Sequence, residues 1–184
     1  MKRVIVPLGK GFEDIEAVSI IDILRRGGIE VIVAGVEELE VVGAHKLRVV
    51  TDMLLSQVDT SSVDMIILPG GWGGTRVLAE SQLVQNILKE FDSQNRLIGA
   101  ICAAPFALNV AGVLKNDFTC YPGARDEIKT TAKYHSDKKV VLDGNIITSQ
   151  GPGTAICFGL AIVELLVSKE VAESIKGGTL SEFC

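Results

Sequence analysis

Positive charge is in short supply in this 184-residue chain: 18 Lys and Arg stand against 23 Asp and Glu, a net charge of -5. A nucleic-acid footprint needs a basic stripe to displace counterions, so no nucleic-acid partner is expected. Histidine is scarcer still. His45 and His135 are far apart and neither belongs to an H-x-x-x-H pattern, which leaves no basis for a histidine-rich metal site. No apolar run approaches the roughly 18 residues of a membrane span. Met1 to Gly9 starts basic, but its apolar stretch is too short for a signal peptide, so a cytoplasmic protein with no membrane association is expected. The four cysteines, Cys102, Cys120, Cys157 and Cys184, show no C-x-x-C spacing. A chain of this size needs no disulfide framework, so reduced thiols are expected: Cys120 and Cys157 as packing residues, Cys184 as an exposed one. Aromatics are only 5% of a chain that is 47% hydrophobic. The core must therefore be filled by Val, Ile, Leu and Ala, the usual filling of a parallel sheet covered by helices.

What the chain does have is alternation. Lys2 to Leu8 reads as a buried strand. Glu13 to Arg26 reads as a helix with Ile15, Val18, Ile21, Ile23 and Leu24 along its apolar stripe, ended by Gly27-Gly28, and Ile29 to Gly35 reads as a second strand. A short hairpin or edge ribbon is expected over Val41 to Val50. Strands are expected at Asp64 to Leu68 and Arg96 to Ile101, and helices at Ser81 to Asp92 and after Cys102. Asp117 to Tyr134 looks irregular. Strands Lys139 to Leu142 and Asn145 to Ser149 flank an Asp143-Gly144 turn, and helices follow at Gly153 to Val167 and Lys169 to Lys176. There is no repeat, low-complexity tract or linker, so residues 1–184 are expected to form one domain, an α/β doubly wound sandwich.

In such sheets ligands sit beyond the carboxyl ends of the strands. Three strand exits carry unusual residues: Gly9 to Glu16, Pro69 to Gly74, and Ala100 to Pro105. In the last of these, "LIGAICAAP", Cys102 falls at a strand-to-helix joint. A thiol there would be strained and exposed, with the positive end of the helix dipole favouring the thiolate. A free cysteine that simply packs is the competing reading. Glu13 and Asp14 fit plain dipole partners. Glu16 points elsewhere around the helix, and in an apolar pocket its carboxyl would stay protonated and donate to a thiolate. Pro69-Gly70-Gly71 allows backbone N–H groups to approach a bound oxygen, or else is a turn. It is neither a P-loop nor a dinucleotide fingerprint. Ser149 to Thr154, "SQGPGT", reads as a helix entry with a pocket-lining edge.

Five stretches carry a resemblance: "VPLGKGFEDIEAV" (6–18), "IEVIVAGV" (29–36), "LPGG" (68–71), "AICAAP" (100–105) and "ITSQGPGTAICFGLAIVELL" (147–166). In this order, over nearly the whole chain, they resemble the ThiJ/PfpI superfamily and, within it, the Parkinson-disease protein deglycase subfamily and its bacterial relatives. The resemblance implies a flavodoxin-like sandwich, a homodimer joined through the first helix, and a nucleophilic Cys102 hydrogen-bonded to a protonated Glu16. It also implies oxyanion donors at the Gly71 and Ala103 N–H groups, with Gly70 beside them. The implied activity is that of a glyoxalase or deglycase free of metal and organic cofactors. Its substrates would be small reactive 2-oxoaldehydes, methylglyoxal being converted to lactate, or glycated thiols and amines. An oxidation-sensing or chaperone role of the same cysteine is the alternative. Two positions depart from the pattern: Tyr121 in "TCYP" stands where several relatives have histidine, and His45 in "GAHKL" is the nearest match to an anion-lining arginine. A phenol is a poor base at neutral pH, so the catalytic set narrows to Cys102 and Glu16. The protease-like branch has a histidine directly after its cysteine; Ala103 occupies that place here, against a peptidase.

Overall fold

The computed structural model describes residues 1–184. Its strands are β1 (Arg3–Leu8), β2 (Glu30–Gly35), β3 (Glu40–Val42), β4 (Arg48–Val50), β5 (Met53–Leu54), β6 (Met65–Leu68), β7 (Leu97–Ile101), β8 (Asp117–Phe118), β9 (Lys133–Tyr134), β10 (Val140–Asp143) and β11 (Ile146–Ser149). Its helices are α1 (Asp14–Arg26), α2 (Trp72–Glu80), α3 (Gln82–Ser93), α4 (Pro105–Ala111), α5 (Ala155–Leu166) and α6 (Lys169–Gly178). Seven strands form one sheet in the order β10-β11-β7-β6-β1-β2-β5, parallel except for the edge strand β10.

The period of two along each strand divides the core between the two faces. Val4, Val6 and Leu8 of β1, with Met65 and Ile67 of β6, pack with Ala17, Ile20 and Leu24 of α1, Phe158 and Ile162 of α5 and Ile175 of α6. Ile5, Ile66 and Leu68 face the other way, onto Leu78, Leu88 and Phe91 of α2 and α3 and Leu108 of α4. Burial on both faces is why these strands read as continuous apolar runs. The strand order reverses direction beside β1. The carboxyl ends of β1, β6 and β7, neighbours in the sheet, open onto the crevice where such folds bind ligands.

Three expectations need correction. On α1 the buried face is Glu16, Ala17, Ile20, Ile23 and Leu24, while Ile15 and Val18 are exposed. Trp72–Glu80 is a helix, although its Gly-Gly start reads as loop. The cysteines are not all reduced: Cys157 and Cys184 form a disulfide, Cα atoms 5.1 Å apart, leaving Cys102 and Cys120 free. Helix α6 packs back along α5, and a tail held by the buried Ser181 and by Lys139 Nζ donating to the Phe183 carbonyl returns Cys184 to Cys157. Chain size shows only that no bridge is needed, not that folding keeps two thiols apart. Cys120 is buried, as expected of a packing thiol. Within the irregular stretch, β8 and β9 pair in parallel as a two-residue ribbon.

Candidate functional site

Strand β7 delivers Cys102 to the crevice, and the chain then makes a turn before α4 begins at Pro105. Cys102 has φ +64°, the left-handed region that a side chain other than glycine occupies at a cost of about 1–3 kcal/mol. Two hydrogen bonds hold it there: Cys102 N donates to the Ser149 carbonyl (3.0 Å), and its own carbonyl accepts from Tyr121 N (2.9 Å). The strained elbow expected from sequence is therefore present. The exposed sulfur is not, since Cys102 retains 9% of its accessible surface.

Glu16, in the first turn of α1, is fully buried. Its Oε2 accepts from Gly70 N at 2.7 Å, while its Oε1 is buried with no hydrogen-bond partner. A Cβ on Gly70 would sit 2.5 Å from Cys102 Cβ and 2.6 Å from Glu16 Oε2, so only glycine lets the β6 exit pass between them. Gly71, at φ +82°, is equally constrained: a Cβ there would meet the Gly11 carbonyl at 2.5 Å.

Carboxyl and thiol lie close enough to shift each other's ionisation. Burial pushes the Glu16 carboxyl up to about 7, opposed by the neighbouring Cys102 thiol and the Gly70 N–H and reinforced by nearby Glu13. Burial also pushes the Cys102 thiol up, as does a carboxylate at Glu16, while the Gly71 and Ala103 N–H groups on the sulfur pull it down. The stabilising donors are thus these two amides rather than the dipole of α4, whose first residue is three positions further on. Two anions cannot share this apolar site cheaply, so the pair behaves as one unit holding a single proton around neutrality. The Gly71 and Ala103 N–H groups face the sulfur, and the buried Glu16 Oε1 has no hydrogen-bond partner of its own.

The structure gathers Cys102, Glu16, Gly70, Gly71 and Ala103 into one cluster. Tyr121 is at its edge: its ring lies 3.3 Å from the point where a Cβ on Gly151 would be, a point 4.0 Å from Glu16 Oε1. His45 is not in the cluster. Its side chain is 73% exposed, with Nδ1 3.6 Å from Glu13 Oε1 and 3.7 Å from Asp14 Oδ2. In "SQGPGT", Ser149 Oγ donates to the Lys139 carbonyl and pairs with Thr154 Oγ1, a structural role, while Gly151 forms the edge expected of this stretch. Sequence reasoning missed Trp72 and Phe106, whose rings pack edge to face 5.9 Å apart beside the cluster. The available signal was two of the chain's few aromatics, each within four residues of a site residue.

Comparison with known proteins agrees with this fold. The chain is 41% identical over 181 residues to protein dj-1beta of Drosophila melanogaster, covering 97% of each. The crystal structure of Drosophila melanogaster DJ-1beta superposes with a TM-score of 0.94 at 40% identity, covering 97% of each chain. It is 38% identical over 163 residues to a Caenorhabditis elegans protein named glutathione-independent glyoxalase DJR-1.2, covering 89% of this chain and 87% of that one. Against protein DJ-1 homolog B of Arabidopsis thaliana it is 40% identical but spans only 41% of that protein's length. The model of the DJ-1/PfpI family matches residues 2–165, from the first strand through the Cys102 elbow and into α5, and the chain belongs to that family.

Proposed function

We propose that this protein is a cofactor-independent glyoxalase converting small 2-oxoaldehydes, methylglyoxal among them, to 2-hydroxyacids, with Cys102 as nucleophile and Glu16 as its proton partner. The observation that carries this reading is the buried pair itself: a free thiol on a strained turn, two N–H groups on its sulfur, and a carboxyl raised to about 7 beside it. A carboxyl titrating near neutrality suits both proton donation and removal. The similarity to a relative named as a glyoxalase supports the substrate class.

In this mechanism the Cys102 thiolate attacks the aldehyde carbon. The C–S bond forms, the carbonyl electron pair moves to oxygen, and that oxygen takes the Glu16 proton while facing the Gly71 and Ala103 N–H groups. The Glu16 carboxylate then removes the hydrogen from the same carbon, giving an enediolate. It returns the proton to the neighbouring carbon as the hydroxyl proton passes between the two oxygens, leaving a thioester of the 2-hydroxyacid. Water attacks the thioester, the C–S bond breaks, the sulfur leaves as thiolate and the remaining proton restores Glu16. The sum is aldehyde plus water to hydroxyacid. Lactate formed from methylglyoxal by wild-type, Cys102→Ala and Glu16→Gln proteins tests it. Both variants should fall at least about a hundredfold, and wild-type rates in both would refute it.

A second reading rests on the same two amides and acid. Hydrogen peroxide would oxidise the thiolate stepwise to sulfinate, each oxygen coming from one peroxide that leaves as water, and the sulfinate oxygens would take the donors now on sulfur. Peptide mass spectrometry after peroxide should show Cys102 oxidised well before the buried free thiol Cys120; equal oxidation would remove this reading. The homodimer is likewise our proposal, supported by exposed Ile15 and Val18 on α1 and Val50 on β4. Sedimentation of wild-type and Val18→Asp proteins checks it: dissociation of the variant supports it, and a monomeric wild type excludes it.

A further inference from the structure

A groove of about 580 Å³ runs between α2, α4 and the turn after Tyr121. That volume lies within the range of small-ligand pockets. Its floor is Trp72 and Phe106, packed edge to face, and exposed Val110 forms one wall. Each end of this floor is tied to the sulfur's own donors. Trp72 directly follows Gly71, whose N–H faces Cys102, and Phe106 N donates to the carbonyl of Ala103, the other donor (3.0 Å). On the far side, Gly123 lines the groove two residues after Tyr121, whose N–H is bonded to the Cys102 carbonyl. The groove thus adjoins the segments that carry the sulfur's two amide donors and the partner of the Cys102 carbonyl.

Two aromatic rings in a chain with few aromatics form a surface that rewards a third ring. Arg76 on the rim is offset by Glu80 and Glu127, so the rim carries no excess of positive charge that would select an anion. We infer that this groove is the specificity subsite of the enzyme and accepts an uncharged aryl group, so that aryl 2-oxoaldehydes are favoured over methylglyoxal. The inference rests on the glyoxalase reading for its chemistry, but the groove's affinity for an aryl group does not depend on turnover. With the aldehyde carbon at Cys102, a substituent on the adjacent carbonyl would extend over Trp72 and Phe106. Stacking of one ring against such a pair supports roughly tenfold discrimination.

Two measurements test this. First, kcat/KM for phenylglyoxal relative to methylglyoxal should be about tenfold above one in the wild type. The ratio should collapse toward one in Trp72→Ala and in Phe106→Ala, and be largely kept in Trp72→Phe. An unchanged ratio in both alanine variants overturns the subsite. Second, Trp72 is the only tryptophan, so its emission reports the groove directly. The unreactive ketone 2-hydroxyacetophenone should quench it saturably, and hydroxyacetone about tenfold more weakly. The aryl ketone's affinity should drop in Phe106→Ala. Quenching that does not saturate, or that is identical in Phe106→Ala, overturns the inference even if the enzyme is active. Saturable aryl binding with no turnover of either aldehyde would instead overturn the glyoxalase reading and leave the subsite standing.

Discussion

Replacing Glu16 by Gln keeps the acceptor for Gly70 N and nearly the same volume but removes the titrating proton. In the folded chain burial pushes the Glu16 carboxyl up to about 7, against 4.5 for an ordinary glutamate. Between these values the folded state binds more protons than the unfolded state, so stability is fully present below 4.5 and is lost as pH rises through about 7. Integrating from pH 5 to pH 8 gives a wild-type loss of about 2.5 kcal/mol from this one site. Glutamine, which cannot ionise, is spared it. The stability of Glu16→Gln minus that of wild type should therefore grow by about 2.5 kcal/mol between pH 5 and 8, or about 5–10 °C in Tm for a chain of this size. Other groups titrate alike in both proteins and cancel in the difference. Thermal melts of the two proteins in matched buffers at pH 5, 6, 7 and 8 supply the curve. A constant gap across that range would mean that Glu16 ionises like an exposed glutamate and that burial does not govern the site.

Gly70→Ala should abolish lactate formation and destabilise the fold by about 1–3 kcal/mol in urea titrations, because its Cβ would overlap both Cys102 Cβ and Glu16 Oε2. A variant with wild-type kinetics would mean that β6 can shift without disturbing the pair. Cys184→Ser opens a loop whose ends are 27 residues apart and should cost about 3–4 kcal/mol. Dithiothreitol should lower the melting temperature of the wild type to that of the variant and leave the variant unmoved, and an equal response in both would exclude the bridge.

The parallel strands were legible because burial on both faces writes them as unbroken Val/Ile/Leu runs bounded by glycine and proline. The Cys102 elbow was legible as a strand-to-helix joint because an apolar strand runs straight into Cys-Ala-Ala-Pro, although a packing cysteine fitted the same residues. Where the reading failed, function or long-range geometry had overruled local pattern. On α1, Ile15 and Val18 drew the apolar stripe toward themselves, while the face that is buried carries a glutamate, the residue a hydrophobicity count excludes from a core. Helix α2 was hidden by the low helix propensity of Gly73 and Gly74. The Cys157–Cys184 bridge joins residues brought together only by the packing of α6 on α5. No spacing rule could show that Cys102 would be buried, or that its donors would be amides of Gly71 and Ala103, since these distances are set by the meeting of β1, β6 and β7.

Which atom gives up the pair's first proton can be read from thiolate absorbance near 240 nm as a function of pH, using the Cys102→Ala protein as the blank. If the shared proton rests on Glu16, as the proposed mechanism requires, thiolate at Cys102 should appear at a lower pH in the wild type than in Glu16→Gln. In Glu16→Gln the buried sulfur, deprived of its acid partner, should ionise at least one pH unit higher. A wild-type sulfur that stays protonated beyond pH 9, or a step that Glu16→Gln leaves in place, would contradict the shared proton on which the chemistry depends.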